Sequence, residues 1–349
     1  MAKQKKVQLQ DIASVAGVNI STVSMVLNGR ARERRISERL EKKIIKVAKE
    51  LNYKPNVLAQ SLRSGKSFII GLILPDMANS TFARLGRHIE ELAAQEGYRI
   101  MICSSGEEDD DPESLINSLI DYQVDGIIIA PTTRMQPSLF KMIEDSGKPY
   151  VIVDRYLSYV NTSQVVVDNF SIGFLSTEHL LQQGLRRIAI FSFPPSLQHM
   201  EDRVAGYEAA MKKYHVPVIN DDLIKLVSYE KVVEETATAI DDILALKPAV
   251  EGIIFFTNMI GLPGLEYLYQ IKKVVIPRDF KLISMEASPY FSLMNPSITV
   301  VNLNIKRMAE KSMELLMQFI KHNIPLETKQ YTIPVSLISR ESSKKPANP

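Results

Sequence analysis

Arg30, Arg32, Arg34 and Arg35 lie within six consecutive residues, and guanidinium groups at that density are suited to gripping phosphate oxygens. The bias extends through the whole beginning of the chain. Residues 1–66 carry nine Lys and six Arg against one Asp and four Glu, a net of +10, while the remainder holds 27 basic against 35 acidic residues, a net of −8. The overall charge of +2 conceals this division. A basic head on an acidic body is the layout of a nucleic-acid binder with a separate regulatory or assembly domain, because phosphate neutralisation needs local positive charge. A solubilising tail is the alternative.

Catalytic chemistry has less to stand on. His88, His179, His199, His215 and His322 are scattered without metal-ligand spacing and read as surface or satisfied core residues. Cys103 is the single cysteine, which excludes an intramolecular disulfide, leaves too few soft ligands for a structural zinc and suits a reducing cytoplasm. It ends an apolar run and reads as a small hydrophobe, not a nucleophile. The acidic run Glu107 to Asp111 precedes Pro112 and a helical pattern, so a favourable interaction with the helix dipole, or simple solvation, outweighs a metal site. Neither a phosphate-cradling P-loop nor a Gly-x-Gly-x-x-Gly fingerprint occurs. No acid, base or nucleophile pairs at recognisable spacing, so an enzyme or a cofactor is not expected.

The elements that must position the basic residues are legible in the head. Leu9, Ile12, Ala13 and Ala16 form one apolar face of a short helix that Gly17 ends. Asn19 can cap a second helix over Ile20 to Asn28, with Val23 and Leu27 turned toward the same small core. Ser37 can cap a third, in which Leu40, Ile44, Val47, Ala48 and Leu51 make a stripe before Pro55 stops it. The short connection between the first two helices is that of a helix-turn-helix. Its second helix is the one that enters the major groove, where Thr22 and Ser24 are available for phosphate or base contacts.

The head and the segment joining it to the body resemble the lactose-repressor (LacI/GalR) family of bacterial transcription regulators. The resemblance is carried by Leu9-Gln10-Asp11-Ile12-Ala13, Ala16-Gly17-Val18, Ser21-Thr22-Val23-Ser24, Val26-Leu27-Asn28, and Leu51-Asn52-Tyr53-Lys54-Pro55-Asn56 with Ala59-Gln60-Ser61-Leu62. It continues to Arg340-Glu341-Ser342 and so covers nearly the whole chain. It implies that Ile20, Ser21 and Met25 are specificity positions, with Thr22, Ser24, Asn28 and Asn56 also at the DNA; the loop Gly29 to Arg35 is a few residues longer than is usual in the family, and its Arg30 reads either as a phosphate grip or as part of a disordered, solvated loop. Met25 departs from the Arg common there and offers only apolar contact. The stretch Asn56 to Leu62 is too short to persist as an isolated helix in water and reads either as a plain linker or as a hinge that orders on DNA. The resemblance favours the hinge, in which Ala59 permits close approach and Leu62 is the minor-groove wedge.

From Phe68 onward short apolar runs alternate with helical patterns, the signal of parallel sheets covered on both faces. The runs are Phe68 to Leu74, Arg99 to Cys103, Gly126 to Ala130, Tyr150 to Val153, Gln164 to Val167, Arg187 to Phe191, Gly252 to Phe256 and Phe280 to Met285. A late helix, Ile305 to Lys321, and a strand near Val335 to Ile338 complete, by resemblance to periplasmic sugar-binding proteins, two Rossmann-like lobes. Lobe 1 is expected over about 67–160 and 298–326 and lobe 2 over about 163–295 and 330–341, with crossings near Asp154 to Gln164, Met294 to Thr299 and Pro325 to Lys329. The fold class is thus an N-terminal all-α helix-turn-helix DNA-binding domain (1–54), a hinge (55–66) and an α/β two-lobed periplasmic-binding-protein-like regulatory domain (67–341). Residues 342–349, short and polar, are expected to be a disordered tail.

A cleft at the carboxyl ends of the strands is the usual place for a small ligand. The resemblance carries Asn79, Phe82, Asp154, Arg155, Arg203, Asn258 and Glu286 to it, side chains suited to sugar hydroxyls and an aromatic suited to an apolar sugar face. Asp168-Asn169 reads either as a pocket-edge motif or as the cap of a helix from Phe170 to Gln182. Asn258-Met259 and Ser284-Met285-Glu286 stand where the family often has Asn-Asp and Gly-Phe-Asp. A sugar or sugar derivative leads as effector, with a nucleobase, another metabolite or no response still open. The helix Thr81 to Glu96 carries a stripe of Phe82, Leu85, Ile89 and Leu92 that either faces its own sheet or, by resemblance, joins the helix Asp111 to Tyr122 in a dimer face. The expected partners are a palindromic double-stranded DNA operator, a small carbohydrate and a second copy of the chain in a homodimer, with no membrane. A repressor in the cytoplasm is the leading reading, and a solute-binding protein of the same fold without a transcriptional role is the alternative.

Overall fold

The structure is a computed structural model, and it describes residues 7–27, 31–32, 34–53, 65–106, 111–194, 198–218, 222–285 and 289–344. Asn28, Arg30, Asn56, Ala59, Leu62 and Glu286 lie outside the described residues, as do 345–349. The chain divides into two compact units, 1–67 and 68–349.

In the first unit, helices α1 (Leu9–Ala16), α2 (Ile20–Leu27) and α3 (Glu38–Glu50) pack around Ile12, Ala16, Val23, Val26, Ile44 and Val47. Gly17 ends α1 at φ +72°, a left-handed conformation that costs glycine little. The Ser37 hydroxyl accepts the Leu40 N–H at 3.4 Å to start α3. Lys43 on α3 donates to the Ala16 carbonyl at 2.8 Å, satisfying a helix-end acceptor that α1 cannot satisfy itself. In α2 it is Val26, not Leu27, that joins Val23 in full burial, because i and i+3 lie closer to the inward direction here; Leu27 is half-buried.

The second unit contains two six-stranded sheets. The first has the order β11-β5-β4-β3-β1-β2, built from β1 (Ile69–Leu74), β2 (Arg99–Ser104), β3 (Gly126–Ile129), β4 (Tyr150–Asp154), β5 (Gln164–Val167) and β11 (Gln330–Ile333), all parallel. The second has the order β12-β10-β9-β8-β6-β7, from β6 (Ile188–Ser192), β7 (Ile224–Leu226), β8 (Gly252–Phe255), β9 (Lys281–Met285), β10 (Thr299–Asn302) and β12 (Ser336–Ile338). Among these strands only β12 runs antiparallel. Helices α4 (Ser80–Gln95), α5 (Pro112–Asp121), α6 (Pro137–Asp145) and α11 (Ile305–His322) flank the first sheet. Helices α7 (Asn169–Gln182), α8 (Gln198–Lys213), α9 (Val232–Ala245) and α10 (Asn258–Glu266) flank the second. Phe82, Leu85 and Ile89 of α4 are buried in the first lobe's core, so that stripe faces its own sheet.

The expected lobe boundaries each require correction by one strand. β5 pairs with β4, and β11 with β5, so both belong to lobe 1, whereas β10 pairs with β9 in lobe 2. The chain therefore crosses after β5, after β10 and between β11 and β12. The connection from β4 to β5 contains no helix, which is why its sequence reads as a crossing. It is pinned within lobe 1 by Gln164, whose side-chain amide exchanges two 2.8 Å hydrogen bonds with the Leu157 backbone. β7, β10 and β11 are absent from the expected strands; β7 and β11 are partly exposed and carry no continuous apolar run.

The expected disordered tail is also corrected at its start. Ser342 and Ser343 are fully buried. The Ser342 hydroxyl accepts the Thr299 N–H at 2.8 Å and donates to the Leu282 carbonyl at 2.7 Å, tying the end of the chain to β9 and β10. Ser342→Ala strands that buried N–H and should lower stability by about 1–3 kcal/mol in urea denaturation. An unchanged midpoint would show that the bond contributes nothing.

Candidate functional site

In the basic unit, burial of Val23 and Val26 fixes which side of α2 looks outward. Ile20 is 43% exposed, Ser21 is exposed, and Thr22, Ser24 and Met25 are, in turn, half-buried. Arg32, Arg34 and Arg35 are exposed in the following loop. An exposed β-branched side chain and hydroxyls at a helix N-terminus, beside exposed guanidiniums, form a surface suited to base edges and phosphates.

In the acidic unit, a cavity of about 290 Å³ opens between the two lobes. Asn79, Phe82, Asp154, Arg155, Arg203 and Asn258 all line it. From the first lobe, Asn79 caps α4 by accepting the Thr81 N–H at 3.0 Å, and Phe82 follows on the first turn. Asp154 ends β4 with φ +73°, a left-handed conformation that is uncommon outside glycine and turns the chain sharply at the cavity wall. Arg155 lies 3.8 Å from the Asp154 carboxylate, donates from Nη1 to the Pro131 carbonyl at 3.0 Å, and places its guanidinium 5.8 Å from the centre of the Phe82 ring.

From the second lobe, α8 supplies Arg203, whose Nε donates to Asn169 Oδ1 at 2.9 Å and whose Nη1 donates to the Phe256 carbonyl at 2.6 Å. Burial pulls its pKa down to about 10, against the neighbouring charge of Asp154, so it is a cation at neutral pH. Asn169 is thereby a positioning residue for Arg203, while Asp168 is the cap of α7, its carboxylate accepting from the Ser171 N–H at 2.9 Å. α8 can lie this close to α7 because Gly173 and Gly206 meet where the helices cross; a Cβ on either would collide with backbone of the other helix.

Asn258, at the start of α10, donates from Nδ2 to Asn79 Oδ1 at 3.0 Å and to Ser80 Oγ at 3.3 Å. These bonds span the cleft from lobe 2 to lobe 1. Met259 and Met285, two departures from the common family pattern, both form part of the cavity wall. Glu286 lies outside the described residues.

The expectation that His199 is either a surface residue or a satisfied core residue is corrected on both counts: it is buried on the cavity wall with Nδ1 unpartnered. Burial, then the charges of Arg155 and Arg203, hold its imidazole well below the ordinary histidine range. Thr133, Phe193 and Tyr229 also line the cavity without having been expected there. Phe193 and Tyr229 meet with ring centroids 5.4 Å apart. All three stand shortly after the ends of β3, β6 and β7, so the rule that ligands bind at the carboxyl ends of strands could have found them. Cys103 is half-buried, and burial pushes its thiol up, away from nucleophilic use. Among the described residues no group of acidic, His or Cys side chains could hold a metal, and no helix is long and apolar enough to cross a membrane.

Comparison with known proteins agrees with this division of the chain. The profile of bacterial regulatory proteins of the lacI family matches residues 8–56, and that of periplasmic binding proteins and the sugar binding domain of the LacI family matches residues 67–341. The ribose operon repressor of Halalkalibacterium halodurans is 31% identical over 96% of this chain and 97% of its own length. Among solved structures, the Lac repressor dimer bound to operator and the anti-inducer ONPF is similar in fold, with a TM-score of 0.80 at 19% identity, covering 97% of this chain and 99% of that one. A complex of the transcriptional regulator CelR with cellobiose has a TM-score of 0.70 at 24% identity, covering 96% and 99%. The helix-turn-helix unit and the two-lobed body with its cleft therefore have one explanation: the chain belongs to the LacI family of bacterial regulatory proteins and is a DNA-binding transcription regulator.

Proposed function

We propose that the protein is a cytoplasmic, dimeric repressor without enzymatic activity whose affinity for a palindromic operator changes when a sugar or sugar derivative enters the cleft. The observation that carries the effector reading is the convergence of Asp154, Arg155, Arg203 and Asn258 on one cavity beside Phe82. A carboxylate, guanidiniums and an amide supply the acceptors and donors that sugar hydroxyls need, and the ring supplies an apolar face. A ribose operon repressor as relative and a cellobiose-bound structure of the same fold support a carbohydrate.

The operator reading gives Ile20, Ser21 and Met25 to base edges, and Thr22, Ser24, Asn28, Arg30 and Asn56 to nearby phosphates or bases. Ala59 and Leu62 take the minor-groove role of a hinge that folds on DNA. Two-fold pairing of two such heads matches two half-sites on one face of a duplex. Ile102 and Tyr122 are exposed apolar side chains on lobe 1, at its edge strand and just past α5, and are available for pairing. Effector binding then shifts a two-state relation between lobes, and linkage transmits the shift to the operator.

The test is selection of random duplex DNA by the full-length protein, followed by affinity measurements against salt with and without D-ribose, D-fructose, D-xylulose, cellobiose and maltose. A palindromic consensus, a steep salt slope and a shift in affinity with one sugar are the expected results. Failure to enrich any sequence would remove the operator reading, and enrichment with no response to any sugar would remove the carbohydrate.

A further inference from the structure

We propose that Phe68 is a positioning residue for operator recognition: its left-handed backbone, clamped to the amino ends of β2 and β3, limits the directions in which the linker 55–66 leaves lobe 1. This rests on the reading of the head and hinge as the operator-binding part of the chain. Phe68 is the first residue of the second unit and stands one residue before β1, at the end of the first sheet opposite the carboxyl ends that face the cleft.

The backbone there is in an uncommon state. Phe68 has φ +57°, a region that bulky side chains rarely adopt. Two nearby left-handed positions, at φ +68° and +80°, are Gly65 and Gly97, the residue type that takes this conformation at little cost. A phenylalanine persists in it only where its surroundings hold it.

Three neighbours hold it. The Phe68 N–H donates to Asp125 Oδ2 at 3.0 Å, just before β3, and the Phe68 carbonyl accepts the Arg99 N–H at 2.9 Å, at the start of β2. The Phe68 ring has its centroid 5.6 Å from that of Tyr98, which is buried. The Tyr98 hydroxyl in turn bonds the Asp125 carboxylate; burial, and then that charge, push it up to about 12, so it is a protonated donor at neutral pH. Asp125 thus accepts from the Phe68 backbone and from the side chain against which the Phe68 ring rests, and its own N–H donates to the Ile69 carbonyl at 2.8 Å.

Core packing is a poor account of an aromatic at this point, because Phe68 is 36% exposed. A simple turn into β1 would be served by glycine. What the clamp adds is direction: with φ held and both backbone polar groups bonded to neighbouring segments, the chain before residue 68 inherits one starting orientation. Two heads must meet two half-sites at one spacing, so every further direction open to the linker is a freedom lost on specific binding. Non-specific binding, which is mostly charge neutralisation, makes no such demand.

The probes are a duplex carrying the palindromic consensus selected by the wild-type protein and a scrambled duplex of the same length, each titrated with the full-length chain. Phe68→Gly keeps the left-handed conformation open, removes the ring and frees the pivot. The ratio of the two affinities should fall about tenfold or more, because each protomer regains the backbone freedom of one residue, while binding to the scrambled duplex stays within about twofold. Phe68→Tyr, which keeps the ring, should hold the ratio within about threefold of wild type. Asp125→Asn sets an amide donor against one of the groups from which Asp125 accepts and should lower the ratio as well. Melting temperatures report the fold of each variant, and Asp125→Asn keeps the test decisive if Phe68→Gly does not fold. A ratio within about threefold of wild type in Phe68→Gly overturns the inference and leaves the operator reading intact. Equal losses on both duplexes make Phe68 a structural support only and likewise overturn it. If the wild-type protein enriches no sequence, the operator reading fails before any variant is made, and this inference fails with it.

Discussion

Arg203→Met should abolish the sugar response, with affinity for the ligand falling at least about a hundredfold, while the regulator still binds its operator. The cause is local. Methionine keeps much of the side-chain volume but leaves Asn169 Oδ1 and the Phe256 carbonyl without the bonds Arg203 makes to them, in a region where Asn169 itself is 6% exposed. Stranding two buried acceptors costs about 1–3 kcal/mol each at most, so the body is weakened as well as blinded. Arg203→Lys should not restore the response, because a single ammonium on a flexible stem cannot reproduce the fork that spans Asn169 and Phe256. Calorimetric titration of both variants with the sugar that binds wild type measures the effect. An unchanged affinity in Arg203→Met would remove Arg203 from the recognition set.

Gly206→Ala should be nearly as damaging through a different cause. A Cβ there would overlap the Phe170 carbonyl oxygen and stand 2.7 Å from the Phe174 amide nitrogen. Both are backbone atoms, so no rotamer change can relieve the clash, and α7 and α8 must separate. Gly173→Ala meets the same obstacle from the other side, against the Arg203 carbonyl and, at 2.9 Å, the Tyr207 amide nitrogen. Overpacking of this kind costs about 1–3 kcal/mol and sometimes more. The displacement also falls on the crossing that holds Asn169 beneath Arg203, so sugar affinity should fall together with the urea midpoint. Stability and affinity both at wild-type level in Gly206→Ala would mean that the helices can part at little cost.

Such effects are only partly legible in the sequence. The head can be read closely because each of its signals is local: the spacing of Ile12, Ala13 and Ala16, the stop at Gly17 and the cap at Ser37 act within one helical turn. Apolar runs such as Gly126–Ile129 and Gly252–Phe255 announce strands buried on both faces. Which sheet a strand joins is set by hydrogen bonds to segments far away in the chain, and for that reason β5, β10 and β11 fall in lobes other than those expected. β7 and β11 lie at sheet edges and are partly exposed, so they carry little of the hydrophobic signal. At the cleft, Asp154, Arg155, Arg203 and Asn258 can be named from the family pattern. His199 cannot, because its position becomes meaningful only when α8 is laid against the cavity and its nitrogen is seen to be unpartnered. The cross-cleft bond from Asn258 to Asn79 joins residues 179 positions apart, and no local pattern encodes it.

The one-strand offset of the three crossings bears on how the molecule is made. β11 and β12 follow one another with only Pro334 and Val335 between them, yet each completes the edge of a different sheet. α11, which covers the first sheet, is likewise synthesised only after most of the second lobe. A growing chain on the ribosome thus cannot finish its first lobe before beginning its second. Until the closing residues emerge, β5 and β10 each present an open row of backbone donors and acceptors, the kind of edge that invites pairing with another nascent chain. Completion comes to both lobes almost together, as β11 and β12 emerge in succession, and the exposure of the body to misassembly is greatest just before they do.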